Sequence, residues 1–167
     1  MNTLLERLKK AGSISTADVL NESAFFTAKD MIPTSIPALN VALSGKLSGG
    51  LTPGTTIIAG PSRHFKSMFG LLMVKAYLHK YADGVCMFVD SEFGITPDYM
   101  SAVGVDTKRV LHIPVEHIEQ LKFDLVKRLE SLKRGDKVII FIDSIGNIAS
   151  KKEVDDALDG KSAADMT

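Results

Sequence analysis

The sequence predicts an α/β domain in which helices cover both faces of a mostly parallel sheet. Four short apolar runs, at residues 55–60, 85–90, 109–114 and 137–143, are typical of buried strands. Helical patterns separate most of these runs, as parallel strands require, since each pair needs a crossover connection. The first run is rich in β-branched residues, which favours strand over helix.

A small N-terminal segment precedes this core. Residues 2–10 place three leucines on one face of a helix that is too short to be stable alone. Phe25 and Phe26 lie between polar neighbours and could belong to the local core or to an arm that docks on another subunit. We therefore divide the chain into an N-terminal segment at 1–30 and a core at 31–167.

Three helical patterns follow in the core. Residues 31–43 contain prolines and a short apolar helix pattern, and a glycine-rich loop comes after them. The segment from Lys66 to Lys80 is apolar on nearly all sides, which predicts a buried helix. The segment from Glu116 to Arg134 carries leucines and an isoleucine at helical spacing and ends at Gly135.

Composition excludes several classes of protein. Twenty basic and twenty acidic residues cancel, so any contact with nucleic acid must come from local sites and not from a strongly basic surface. The chain has no apolar run of membrane-spanning length and no signal-peptide core, which indicates a soluble cytoplasmic protein. Cys86 is the single cysteine and lies in an apolar run, so we expect a buried thiol. The histidines show no metal-ligand spacing.

The loop after the first apolar run carries a phosphate-binding motif. Its sequence, GPSRHFKS, fits the pattern G-x-x-x-x-G-K-[ST] except that Phe65 replaces a glycine. Lys66 is predicted to reach the β and γ phosphates of ATP, and the Ser67 hydroxyl to ligate Mg²⁺. If position 65 requires a left-handed backbone, a residue other than glycine costs about 1–2 kcal/mol there. The residues predicted to contact the nucleotide in this loop are Gly60, Pro61, Ser62, Arg63, His64, Phe65, Lys66 and Ser67.

Acidic residues end two further strands. Asp143 follows an apolar run, as expected for the carboxylate that holds Mg²⁺ through water, although an acid at a strand end is common in any α/β fold. Asp90 and Glu92 share one strand face, and Glu92 is predicted to orient or deprotonate the attacking water. Taken alone, the pair could equally be solvated acids. Because ligands of parallel sheets bind beyond the carboxyl ends of the strands, these groups are expected to form one site.

The order of these motifs resembles the RecA family, and within it the UvsX-type phage branch. The resemblance runs from about Thr34 through TSIPALNVALSG, GPSRHFKS, FVDSEFGITPDYMSAVGVD and VIIFIDSIGNIASKKE. The segment after Glu92 is the most specific, because it looks like the adenine-contacting segment of the family. By that similarity Thr96 and Tyr99 contact the base, Tyr99 by stacking. The phage branch also accepts an aromatic residue at the position of Phe65.

The resemblance implies an ATP-dependent homologous recombination protein with a RecA-like core. Such a protein uses ATP and Mg²⁺, forms a helical filament on single-stranded DNA, promotes strand exchange and works with mediator and single-strand-binding proteins. It acts off the membrane, in the host cytoplasm if it is phage-encoded. In this family Phe25 and Phe26 would lie at a subunit contact. The polar residues 150–167 would lead into the first DNA-binding loop, or simply begin a solvated helix.

The family continues through further strands, so we expect this chain to be truncated after the strand that ends at Asp143 and to be weakly active alone. Two alternatives stay open. One is another RecA-like ATPase of the helicase or ring type, which need not share the segment from Glu92 to Tyr99. The other is a nucleotide-binding assembly or mediator subunit without turnover, which the altered loop favours and the retained Lys66 and Glu92 oppose.

Overall fold

The computed structural model describes residues 3–20, 22–23, 30–146 and 148–158. In this part of the chain, no helix is long and apolar enough to span a bilayer. The elements in chain order are α1 (Thr3–Ala11), α2 (Pro37–Ser44), α3 (Lys66–Lys80), β1 (Val85–Asp90), α4 (Pro97–Val103), a 3₁₀ turn (Thr107–Arg109), β2 (Val110–Pro114), α5 (Ile118–Glu130), β3 (Val138–Asp143) and α6 (Lys151–Leu158).

The sheet has three parallel strands in the order β2-β1-β3. The last residue of β1, Asp90, pairs with Pro114 on one side and with Asp143 on the other. The three strands therefore end in register at one edge of the sheet. This arrangement confirms the predicted parallel α/β fold, and it brings the predicted acidic residues to a common edge.

Both faces of β1 are covered, as a fully apolar strand requires. The run at 109–114 was also expected to be buried, but β2 at the sheet edge is mostly exposed, with Leu111 47% exposed, and β3 is half-buried. In β1 the side chains of Cys86 and Phe88 enter one core cluster, while those of Met87 and Val89 enter another. The first cluster is filled from α3 and α4 by Leu71, Val74, Leu78 and Met100, and the second from β2 and α5 by Ile113 and Leu121. Successive residues of a strand point to opposite faces, so burial on both sides explains the unbroken apolar run.

The predicted buried strand at 55–60 is wrong. These residues form no strand, and the side chain of Ile57 is 83% exposed. An open cleft of about 480 Å³ lies between this segment and the α2 residues Leu39, Ala42 and Leu43. A strand needs a neighbouring strand to complete its backbone hydrogen bonds. Among the described strands β3 pairs only with β1, so residues 55–60 do not pair with β3. Composition predicted the strand tendency of this segment but not the partner that it requires.

The helix predictions are confirmed in position and differ at some ends. α3 begins at Lys66 and ends at Lys80, as predicted. α5 is shorter than 116–134 at both ends. It begins after His117, whose side chain accepts a hydrogen bond from the Gln120 backbone N–H and caps the helix, and it ends at Glu130 with Ser131 as the C-cap. α6 occupies the first part of the polar segment after residue 150. Phe25, Phe26 and residues 159–167 lie outside the described residues.

Candidate nucleotide-binding site

The loop at 60–65 leads directly into α3, and its backbone is left-handed at two positions. Arg63 has a φ of 64°, and Phe65 has a φ of 57° and a ψ of 19°. The glycine of the phosphate-binding pattern therefore falls on a position that favours glycine. Phenylalanine costs about 1–2 kcal/mol in this conformation. Its side chain is 69% exposed, so extensive packing does not offset that cost.

Two positive features meet at the start of α3. No side chain from the described residues caps this helix, so its first N–H groups remain available at the positive end of the helix dipole. Lys66 Nζ donates a 2.7 Å hydrogen bond to the carbonyl oxygen of Pro61. A methyl group added at Gly60 would lie 3.9 Å from Lys66 Cδ, so the lysine stem passes beside Gly60. An ammonium group and free N–H groups in one loop suit a phosphate.

Ser67 lies in the first turn of α3 and reaches the end of β3. Its hydroxyl donates a 2.7 Å hydrogen bond to Asp143 Oδ2. Hydroxyl and carboxylate oxygens are the donors that Mg²⁺ prefers, so the predicted metal-binding pair fits that ion. Within the described ranges, no group of three or more acidic, histidine or cysteine side chains could hold a metal ion. The pair thus suits an ion that takes its remaining ligands from water and phosphate, as Mg²⁺ does.

Glu92 is tied to the residue after Asp143. Ser144 Oγ donates a 2.8 Å hydrogen bond to Glu92 Oε1, and Ser144 N donates a 3.0 Å hydrogen bond to Ser91 Oγ. Ser91 Oγ in turn lies 2.8 Å from the Ser144 carbonyl oxygen, to which it donates. Sequence analysis missed both serines. The signal was present, because β1 and β3 each end in an aspartate that a serine follows.

Tyr99 lies in α4, which begins five residues after Glu92, and Thr96 directly precedes this helix. Thr96 is the N-cap of this helix, and its Oγ1 accepts a 3.1 Å hydrogen bond from the Tyr99 backbone N–H. Tyr99 is 39% exposed, so part of its ring faces solvent. The structure gives Thr96 a local capping function, and the predicted contact of both residues with adenine remains a prediction.

The chain matches a protein-family model described as the RecA N-terminal domain over residues 3–166. The chain belongs to the RecA family. It is 52% identical over 167 residues to the recombination and repair protein of Enterobacteria phage T4, covering all of this chain and 43% of that protein. The RecA proteins of Kineococcus radiotolerans and Cutibacterium acnes are each 32% identical, over 75% and 74% of this chain and 34% of their own lengths.

The RecA-family match adds to the resemblance visible in the motifs. It begins at residue 3, whereas the motif resemblance begins at about Thr34, so the N-terminal segment also belongs to the family region. The chain spans less than half the length of each of these three relatives. Family membership therefore rests on nearly the whole of this chain and on only part of each relative.

Proposed function

We propose that this protein is a DNA-dependent ATPase that acts in homologous recombination. The observation that carries the proposal is the convergence of the α3 N-terminus, Glu92 and Asp143 through the Ser67–Asp143 and Ser144–Glu92 hydrogen bonds. A relative that is 52% identical is a recombination and repair protein, which supports the biological role. ATP is the nucleotide that the family resemblance implies.

The loop and α3 would bind the phosphates of ATP. Backbone N–H groups of the loop and of the first turn of α3 donate to phosphate oxygens, and the helix dipole favours the negative charge. Lys66 exchanges its bond with the Pro61 carbonyl for one to the β and γ phosphates. When bound at Ser67 and, through water, at Asp143, Mg²⁺ neutralises charge on the phosphates.

Glu92 would act on the attacking water. Its carboxylate accepts from Ser144, the residue next to the one proposed for the metal. A carboxylate at hydrogen-bonding distance from a water can orient it for in-line attack on the γ-phosphate and accept its proton. Ser144 holds one carboxylate oxygen of Glu92 in place.

ATP binding would hold the protein in a filament on single-stranded DNA. Head-to-tail contacts that do not close into a ring produce filaments, and the N-terminal segment at 1–30 supplies one side of that contact. Mediator and single-strand-binding proteins are the further partners that the family implies.

A binding subunit without turnover is the second candidate, and the left-handed Phe65 is the observation in its favour. Measurement of ATP hydrolysis with and without single-stranded DNA, on the protein as its gene encodes it, separates the candidates. Strong stimulation by DNA supports the recombinase. Equal rates indicate another RecA-like ATPase, and ATP binding without turnover indicates an assembly subunit.

A further inference from the structure

Asp90 is a buried carboxylate that the hydrolysis scheme above does not use. It is 3% exposed, and its Oδ1 accepts hydrogen bonds from the backbone N–H groups of Glu92, at 3.1 Å, and Phe93, at 2.7 Å. Its Oδ2 lies 3.1 Å from Nε2 of His112. An ionised carboxylate only accepts hydrogen bonds, so Nε2 is the donor. Each oxygen of Asp90 thus has a separate task.

The turn that Asp90 caps contains a residue in an unfavourable backbone conformation. Phe93 has a φ of 55°, a left-handed conformation that costs a non-glycine residue about 1–2 kcal/mol. Strained residues persist where their surroundings over-determine them. Hydrogen bonds from two successive N–H groups to one carboxylate oxygen do this, because bonds to a charged group are stronger than bonds between neutral groups. The backbone of Glu92 therefore depends on the Asp90 side chain.

Asp90 is in turn held from several sides. Its carbonyl oxygen accepts from Val115 N at 3.0 Å, which fixes the end of β1 against the chain that follows β2. The His112 ring comes from β2 and lies 5.5 Å from the Phe88 ring, centroid to centroid. With the backbone and one carboxylate oxygen anchored, Oδ1 has a defined position. The Glu92 turn is thus anchored through Asp90 to β2 and to the residue that follows it.

We propose that Asp90 is a positioning residue for Glu92, with His112 orienting the Asp90 carboxylate. The inference rests on the proposed role of Glu92 in ATP hydrolysis. Asp90 sets where the Glu92 backbone lies, and Ser144 sets where its carboxylate points. A shift of about 1 Å in a catalytic group can lower a rate by about 10²-fold. Loss of Asp90 therefore reduces turnover while the phosphate-binding loop stays intact.

The test compares kcat and the ATP dissociation constant of the full-length protein across substitutions. Asp90→Ala is expected to lower kcat by about 10- to 100-fold and to leave ATP affinity within about threefold. Asp90→Asn keeps an oxygen that accepts from the same two N–H groups, so most of the turnover should remain. His112→Ala is expected to lower kcat by less than Asp90→Ala. Asp136→Ala is the matched control and should leave kcat unchanged. Asp136 also accepts a hydrogen bond from a backbone N–H, that of Lys133, but it lies before the amino end of β3 and not at the carboxyl end, where the site is.

A double-mutant cycle separates positioning from general stability. If Asp90 acts through Glu92, adding Asp90→Ala to Glu92→Gln should change the remaining kcat by less than about twofold, because coupled residues are not additive. The inference would be overturned if the losses of kcat from Asp90→Ala and Glu92→Gln multiplied in the double variant. It would also be overturned if Asp90→Ala lowered kcat and ATP affinity equally, or if Asp90→Asn were as slow as Asp90→Ala. If Asp90→Ala does not fold, the kcat values of the other two variants test the inference. Asp90→Asn should keep most of the turnover, and His112→Ala should lose part of it.

The failure of the proposed function has a different signature. Wild-type protein that binds ATP without hydrolysing it, or a Glu92→Gln enzyme with wild-type turnover, would overturn the role of Glu92 and this inference with it. Wild-type turnover that depends on Glu92 but not on Asp90 would overturn the inference alone.

Discussion

Ser67 and Asp143 are 76 residues apart in the sequence and are joined by a 2.7 Å hydrogen bond from hydroxyl to carboxylate. The bond connects the first turn of α3 to the last residue of β3. Asp143 also pairs with Asp90 across the sheet. The start of α3 is therefore connected through Asp143 to the carboxyl ends of both β3 and β1.

Lys66→Ala is expected to weaken ATP binding by about 10- to 100-fold. A hydrogen bond to a charged group contributes about 1.5–3 kcal/mol, and each 1.4 kcal/mol is a factor of ten in affinity. Titration of a fluorescent ATP analogue measures the change. Lys122→Ala on the exposed surface of α5 is the matched control and should bind normally. Equal affinity of the Lys66 variant and this control would remove Lys66 from the phosphate site.

Glu92→Gln is expected to spare ATP binding and to lower kcat by about 10²- to 10⁴-fold, the usual contribution of a general base. Glutamine keeps the oxygen that accepts from Ser144 Oγ, so the side chain can hold its place while losing its basicity. Steady-state phosphate release with and without single-stranded DNA measures the effect. Unchanged turnover would mean that another group orients the water.

Gly70→Ala tests the contact between α3 and β3. An added methyl group would lie 2.3 Å from Cε2 of Phe141, whose ring stacks on Phe88 at 5.5 Å between centroids. We expect the free energy of unfolding to fall by about 1–3 kcal/mol, as in overpacked cores, although alanine is the better helix former. Urea unfolding measures the loss. The same substitution should cost less in a Phe141→Leu background, and an equal cost in both would exclude this clash.

Much of the fold was predictable because it depends on local pattern. The bounds of α3 and β1 follow from a helix that is apolar nearly all round and a strand that is buried on both faces. The segment at 55–60 has the same strand composition as β3, but strand formation also depends on a neighbouring strand. The composition of a segment does not show whether a neighbouring strand is present. The prediction of a buried strand therefore failed here, and Ile57 is exposed.

Part of the candidate site could also be predicted from local sequence, and part of it could not. Ser67, Glu92 and Asp143 could be named because a loop pattern and strand ends identify them. The hydrogen bond from Ser144 to Glu92 joins residues 52 apart, and it depends on the register of β1 against β3. Asp90 was noted only as a neighbour of Glu92, since a carboxylate that caps a turn cannot be told from a solvated one by composition.

Cys86 was predicted to be a buried thiol, and this is confirmed, because it is 1% exposed in the core between β1 and α3. Burial raises the pKa of the thiol to about 12. The thiolate is the form that reacts with alkylating agents, so at pH 8 the folded protein should resist iodoacetamide. Labelling should accelerate sharply in urea as the core opens. Mass spectrometry of labelled protein measures this, and Cys86→Ala is the blank, since the chain has one cysteine.

The same shift predicts how stability depends on pH. Because the folded pKa lies above the ordinary value of 9.0, the folded state binds the thiol proton more tightly than the unfolded state. The stability associated with this thiol is complete below about pH 9 and falls as pH rises from there toward 12, by at most about 1.4 kcal/mol per pH unit. Urea unfolding of wild type and Cys86→Ala at pH 8 and pH 10 isolates the effect, because only the wild type carries the titrating group. A stability difference between the two proteins that stays constant over this range would mean that the thiol reaches solvent in the folded state.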